Sequence, residues 1–312
     1  MLDVILLTIF YYSFYLLFLV VGFLIWKLIK TNKISIEIIF LLLFFLIIIW
    51  ARFVEPRVIK IKNYNFNTSI NIEKKTEVKS LKVAVISDLH LGAFQNERIM
   101  KKLVKKINKV NPDIVLISGD FVYYINKNKL NQSFSELQNI KVPKLAVLGN
   151  HDYGKGDNDI SSEIITALES NGVLVIDNSI KTMSINNSII KFSGLEDFWT
   201  GSPDYEILNK NDFKDKVDLD ILLAHNPDIV YQIVNLSEDY RQIDLVVSGH
   251  THAGQMRVPF LYKHIIPSAY NFDHGFYKIS DINVFVSPGI GMVVLPMRLF
   301  NFPEISVINI NY

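Results

Sequence analysis

Residues 249–255 read GHTHAGQ, two histidines one residue apart, directly after the apolar run LVVS. Positions i and i+2 of a strand project to the same side, so an extended backbone here brings His250 and His252 to one object. Two imidazoles converging in that way are a ligand pair for a divalent metal; two solvated rings at a strand end are the competing reading. Other run ends weigh the balance. Asp88 and His90 follow VAVIS, Asp120 follows IVLIS, Asn150, His151 and Asp152 follow LAVL, and His225 follows ILLA. Of seven histidines, only His264 and His274 lie elsewhere. A GD pair is commonly a turn and a lone histidine is commonly packed. Taken together, the carboxylates, the amide and the imidazoles make the donor set of a two-metal hydrolytic site.

Such residues need strands to carry them. RVIKIKNYNFN alternates like a half-buried strand, and LKVAVIS, DIVLIS, KLAVL, GVLVID, SIIKFSG, DILLAH, IDLVVSG, NVFVS and EISVINI are short runs rich in β-branched residues. Between them, ERIMKKLVKKINKV sets Ile99, Leu103, Ile107 and Val110 on one helical face and stops at Asn111-Pro112. Further helices are expected near 133–139, over DISSEIITALESNG and from NPDIVYQIV. Alternating strands and helices with strand-rich text late predict one mixed α/β domain with two sheets over residues 56–312. Ligands of open α/β sheets gather outside the carboxyl strand ends, where these residues stand.

Residues 1–55 differ. Val4 to Trp26 is an uncharged run of 23 residues, as a helix roughly 34 Å long and able to cross a bilayer. A second run spans Ile34 to Trp50, with Glu37 near its start. The two predict a transmembrane hairpin with spans at about 4–26 and 34–52, so the lipid bilayer is the first expected partner and the protein is expected to be integral to the cell membrane. A cleaved leader fits worse, because the first run is too long, lacks a basic start and is followed by no small-x-small site. Lys27, Lys30 and Lys33 on the connecting loop nearly balance Arg52, Arg57, Lys60 and Lys62 beyond the second span, so basic residues assign the catalytic domain to neither side.

The series SDLH, GD, GNHD, AH, GHTH, in this order over residues 56–312, resembles the motifs of the calcineurin-like metallophosphoesterase family. GLEDFWTGSPD, ILLAHNPD, GHTHAGQMRVP and SPGIGMVVLPMRLFNFPEISVI are similar to its membrane-associated bacterial branch, which includes a cell-envelope phosphodiesterase and a UDP-2,3-diacylglucosamine pyrophosphatase. The resemblance implies two facing mixed β-sheets flanked by helices and two divalent metal ions, manganese first, iron or zinc as alternatives. It places Asp88, His90 and His252 on one ion and Asn150, His225 and His250 on the other, with Asp120 bridging. On this reading His250 and His252 serve different ions rather than one. It also implies in-line attack of water on phosphorus, with His151 as proton donor to the leaving oxygen and Asp152 a candidate helper.

The substrate expected from this resemblance is a phosphodiester or pyrophosphate in a lipid-linked or envelope compound. A broad phosphodiesterase, phosphomonoesterase or nucleotidase on soluble small molecules is the alternative. An inactive scaffold would have lost ligands, and none is missing. Where protein phosphatases of the superfamily carry an Asp and an Arg after GD, this chain has Tyr123 and Tyr124, against a protein phosphatase. That leaves phosphate to Arg257 or Arg298, and the orientation of His151 to a residue still to be found. The 32 basic and 31 acidic residues give no electrostatic footprint for nucleic acid. The absence of cysteine excludes thiolate metal sites and cysteine nucleophiles. No obligate protein partner is implied.

Overall fold

A computed structural model describes residues 9–31, 35–68, 78–95, 97–154, 159–209, 217–236 and 243–312. Its strands in chain order are β1 (Lys60–Asn67), β2 (Ser80–Ile86), β3 (Leu91–Gly92), β4 (Ile114–Ser118), β5 (Val122–Tyr123), β6 (Lys144–Val147) and β7 (Leu174–Val175). There follow β8 (Ser179–Ile185), β9 (Ser188–Gly194), β10 (Leu219–Leu223), β11 (Leu245–Ser248), β12 (Gly275–Ile279), β13 (Ile282–Val286) and β14 (Glu304–Asn311). They form two six-stranded sheets, ordered β1-β14-β2-β4-β6-β7 and β12-β13-β11-β10-β9-β8, and a small β3-β5 ribbon. Pairing is parallel except for β14 with β2, β12 with β13 and β8 with β9.

Central strands are buried on both faces, which is why they read as unbroken apolar runs. Val83 and Val85 of β2 face the second sheet and meet Phe192, Ile221 and Val247 in the core between the sheets. Ala84 and Ile86, on the other face, pack under Ile99, Leu103 and Ile107 of the helix Glu97–Val110. The outer face of the second sheet is covered by Val230 and Ile233. The result is a helix, sheet, sheet, helix sandwich, the mixed α/β architecture read from the sequence. The other expected helices form as Leu130–Phe134 running into a 3₁₀ turn, Ser161–Ser170, and Val230–Val234 after a 3₁₀ turn.

Two edge strands, β8 and β12, were not foreseen. Each is a half-exposed arm of a hairpin, so burial does not impose an apolar run on it. The β8–β9 turn is Asn186-Asn187, both at positive φ (52° and 59°), the conformation that favours Asn in two-residue hairpin loops.

The N-terminal segments form apolar helices over Ile9–Thr31 and Ile36–Arg57, each long enough to cross a membrane and largely uncovered by the rest of the chain. Both run past the ends of the expected spans, and residues 4–8 and 34 fall outside the described residues. The second helix tightens into a π-helical turn, Trp50–Val54, and a 3₁₀ turn, Glu55–Arg57. Arg52, expected as a flanking charge, is only 1% exposed. Its guanidinium carbon lies 3.9 Å from the Tyr11 ring centroid and 4.9 Å from that of Phe53, a cation–π box. Trp50, the last residue of the second apolar run, donates its indole N–H to Glu55 at 2.8 Å. Glu55 also accepts the Asn301 backbone N–H, and the Arg298 backbone N–H donates to the Ala51 carbonyl at 2.9 Å. The hairpin is thereby tied to the loop that supports the site.

Candidate metal centre

All seven expected metal ligands meet at the carboxyl ends of β2, β4, β6, β10 and β11. Asp120 Oδ2 lies 3.4 Å from His90 Nε2 and 3.3 Å from His225 Nε2, so one carboxylate oxygen stands between two groups. On one side, His90 Nε2 and His252 Nε2 are 2.9 Å apart, and Asp88 Oδ1 is 3.4 Å from His252 Nε2. On the other, His250 Nδ1 is 3.0 Å from Asn150 Oδ1 and 3.2 Å from His225 Nε2. Asp88, His90, Asp120 and His252 offer donor atoms within 4.8 Å of one another, as do Asp120, His225 and His250. His250 and His252 thus enter different groups. The extended backbone that would have pointed them together ends at Ser248, since their φ angles are 70° and 49°.

The same left-handed conformation recurs at Asp88 (52°), His90 (45°) and Asp120 (57°). Five of the seven candidate ligands therefore hold a backbone that L residues avoid at a cost of about 1–2 kcal/mol each. Strand ends turn abruptly there so that side chains converge instead of continuing outward. Gly149 lets the GNHD turn pass under Asp120: a Cβ on it would lie 2.3 Å from Asp120 Oδ1. His225 Nδ1 lies 2.7 Å from the Ser118 carbonyl, which can only accept, so that nitrogen carries a proton and Nε2 is the atom turned to the centre.

Burial and neighbouring charge set the protonation. Burial pushes His90 and His250 down to about 3 and His252 well below its ordinary value, so three rings are neutral donors. Burial, with the charge of Asp120, pushes Asp88 up to about 7. Burial works against a charged His225, yet Asp120 and Asp88 raise it well above its ordinary value. A buried pair of carboxylates that draws positive charge onto an imidazole, surrounded by neutral ring nitrogens, fits divalent cations.

His151 is exposed at the cleft, held by its backbone N–H to Asp120 Oδ1 at 2.8 Å. Its ring meets those of His90 and Tyr123 edge to face, with centroids 5.0 and 5.3 Å away. Asp152 lies elsewhere than a side-chain helper would. It is fully buried and accepts the backbone N–H groups of Phe121 (2.8 Å), Val122 (3.1 Å) and Gly149 (2.9 Å), clamping the GD loop to the GNHD loop. Among the described residues no hydrogen bond joins it to the His151 ring.

Neither arginine reaches the cleft. Arg298 is fully buried, donating to the carbonyls of Gly291 (2.8 Å) and Pro288 (3.1 Å) behind His252. Arg257 is paired with Asp273 at 3.1 Å and with Tyr262 at 3.0 Å. Sequence reasoning also passed over Asn301, whose amide donates to the His252 carbonyl, and Trp199, whose ring stands edge to face 4.3 Å from His250. Asn301 follows a loop with no periodicity to read. Trp199 sits in the GLEDFWTGSPD stretch, where Asp197 pins the turn by accepting the Trp199 and Thr200 N–H groups.

Residues 81–254 match the calcineurin-like phosphoesterase family. The uncharacterized metallophosphoesterase YkuE of Bacillus subtilis is 31% identical over 265 residues, 83% of this chain and 87% of that protein. An uncharacterized metallophosphoesterase of Campylobacter jejuni is 30% identical over 78% of this chain, which spans 62% of that relative's length. A transmembrane protein with metallophosphoesterase domain from Danio rerio is 30% identical over 77% of this chain and 55% of its own length. With five motifs in order, a buried two-group donor cluster and relatives matched over most of its length, this chain belongs to the calcineurin-like phosphoesterase family of metal-dependent phosphoester hydrolases.

Proposed function

We propose that this protein is an integral membrane enzyme in which residues 1–55 anchor a catalytic domain, residues 56–312, that hydrolyses a phosphodiester or pyrophosphate bond in a lipid-linked or envelope substrate such as UDP-2,3-diacylglucosamine. The observation that carries the substrate class is the cleft beside the metal centre. It has a volume of about 420 Å³ and is walled by Trp199, Met256, Ile265, Val293, Val294 and Leu295, with His151, His250 and His252 at its floor. No lysine or arginine is among the described residues lining it. A phosphomonoester, with two charges on one phosphoryl group, gains from a bidentate cation, whereas a diester or disubstituted pyrophosphate, with one charge per phosphoryl group and an apolar substituent, suits an apolar wall.

Asp88, His90, Asp120 and His252 would hold one cation, and Asp120, Asn150, His225 and His250 the second. The oxygen and nitrogen donors suit manganese, with iron or zinc as alternatives. When bound, such cations supply Lewis acidity toward phosphoryl oxygens and a water of low pKa. The chain's own residues do the rest. Asp120 fixes the spacing of the two groups and, through its Oδ1, the His151 backbone. His151 delivers a proton to the departing oxygen from the open side of the centre. Trp199, Val293, Val294 and Leu295 limit water at the apolar side.

A second reading, a broad phosphodiesterase or nucleotidase on soluble compounds, draws on a second recess that shares His151 and is lined also by Tyr123, Tyr124 and Lys127. The full chain in nanodiscs with Mn²⁺, assayed against a phosphomonoester, a soluble phosphodiester and a UDP-linked diacyl sugar, separates the readings. Preference for the acylated substrate supports the first. Equal rates on the soluble diester and the acyl sugar support the second, and no hydrolysis of any by metal-loaded protein contradicts both.

A further inference from the structure

Two loops, 256–270 and 292–300, wall the cleft and carry large apolar side chains that nothing in the described chain covers. Phe260 is 92% exposed, and Val294 and Phe300 are each 65% exposed, with Leu261 and Ile265 beside them. Phe260, Val294 and Phe300 are also held at positive φ (67°, 59° and 56°), a conformation that bulky and β-branched residues avoid. Apolar side chains displayed together on a strained backbone mark a surface with a partner.

The position of the loops names that partner. Met297 and Leu299 pack with Ala51 and Phe14 at the base of the helical hairpin, and Met256 and Val258 join the same cluster. The Arg298 N–H bond to the Ala51 carbonyl fixes the 292–300 loop to the second helix, and the Arg257 N–H donates to the Leu299 carbonyl at 2.9 Å, joining the two loops. The exposed rim therefore continues the uncovered apolar surface of helices Ile9–Thr31 and Ile36–Arg57.

We propose that this rim is a bilayer-docking surface, with Phe260, Leu261, Val294 and Phe300 seated at the headgroup–acyl boundary and the mouth of the cleft facing lipid. The hairpin's bonds through Ala51 and Glu55 turn this face toward the membrane, and the rim adds a second attachment beside them. Ile265, Val294 and Leu295 belong both to the rim side and to the cleft wall, so an amphiphilic phosphoester reaches His151 by lateral movement without leaving the bilayer. This inference rests on the membrane reading above and can fail separately from it.

The chain has no cysteine, so single cysteines placed by Phe260→Cys, Phe300→Cys, Ile47→Cys and Lys101→Cys can each carry an environment-sensitive dye on the full chain in phosphatidylcholine nanodiscs. Docking predicts that labels at 260 and 300, like that at 47, are quenched by doxyl lipids and shielded from iodide, while the label at 101 behaves oppositely. Labels at 260 and 300 that match 101, while 47 stays in lipid, overturn the docking and leave the anchor standing. Iodide access at 47 as well removes the membrane reading itself. Shielding from iodide without doxyl quenching means that protein covers the rim, which also overturns the proposal. As a functional check, the double variant Phe260→Asp, Phe300→Asp should lose about tenfold in hydrolysis of a bilayer-embedded diester and keep its rate on soluble bis(p-nitrophenyl) phosphate. Equal rates, or equal losses, on the two substrates contradict it.

Discussion

Tyr123 presents its ring to the His151 imidazole at 5.3 Å between centroids and an interplanar angle of 72°. Tyr123 stands where protein phosphatases of the superfamily carry an Asp to orient the equivalent histidine. An aromatic wall replaces a hydrogen bond, so the ring's shape matters and its hydroxyl matters little. Among the described residues the hydroxyl accepts the Val294 N–H, at 3.3 Å. Tyr123→Phe is expected to keep most of kcat. Tyr123→Ala should lower kcat roughly ten- to a hundredfold with metal content unchanged. Steady-state kinetics paired with metal analysis reads this, and loss of metal in Tyr123→Ala would show that the residue supports the ligands instead.

His151 and Asn150 are neighbours with separable roles. Asn150 Oδ1 lies within 3.2 Å of the His225 and His250 nitrogens, whereas the His151 ring has no such contact with the donor groups. His151→Ala should lower turnover by about 10²–10⁴ and retain metal, while Asn150→Ala should lose metal from the His225 and His250 side. The reverse pattern, metal lost in His151→Ala and kept in Asn150→Ala, contradicts the assignment. A leaving group of low pKa, which needs no proton, should restore much of the His151→Ala rate.

Asp177 accepts the Leu148 N–H at 3.0 Å and the Tyr153 hydroxyl at 3.3 Å, beneath the turn that carries both of those residues. Burial, with the charges of Glu196 and Asp197, pushes it up to about 7 from the ordinary 3.8, against the lowering effect of its bonds. A carboxyl whose folded value lies above its unfolded value binds its proton more tightly when folded. Its contribution is therefore most favourable below the ordinary value and is lost as pH rises through about 7. Asp177→Asn should unfold with a weaker dependence on pH from 4 to 8, so the variant gains on the parent as pH rises. Thermal unfolding at several pH values checks this, and parallel curves would contradict it.

The ligands were legible because each sits where a doubly buried strand ends, and double burial writes an unbroken apolar run that stops at the first polar side chain. Their pairing was legible only through the family resemblance. His250 and His252 look like one site until the left-handed backbone at both is known. The supports were hidden for a different reason. Asn301 acts through the His252 carbonyl and Asp152 through the Phe121 and Val122 N–H groups, all distant in sequence, while Arg298 folds back onto nearby loop carbonyls, and nothing in an arginine's neighbours tells burial from display. Arg257 or Arg298 stood as a candidate for phosphate because charge is visible in sequence, whereas their partners, Asp273 and the Pro288 and Gly291 carbonyls, depend on how loops fold back. The edge strands β8 and β12 were missed because half-exposed strands carry little pattern.

Among the described residues, Asp120 is the one carboxylate shared by both donor groups. Inductively coupled plasma mass spectrometry of the Mn²⁺-reconstituted full chain, read beside bis(p-nitrophenyl) phosphate hydrolysis, tests that role. The parent should hold about two ions per chain, while Asp120→Ala should fall below one and lose activity with its fold retained by circular dichroism. Full metal content with undiminished hydrolysis in Asp120→Ala would contradict a dinuclear centre built around that residue.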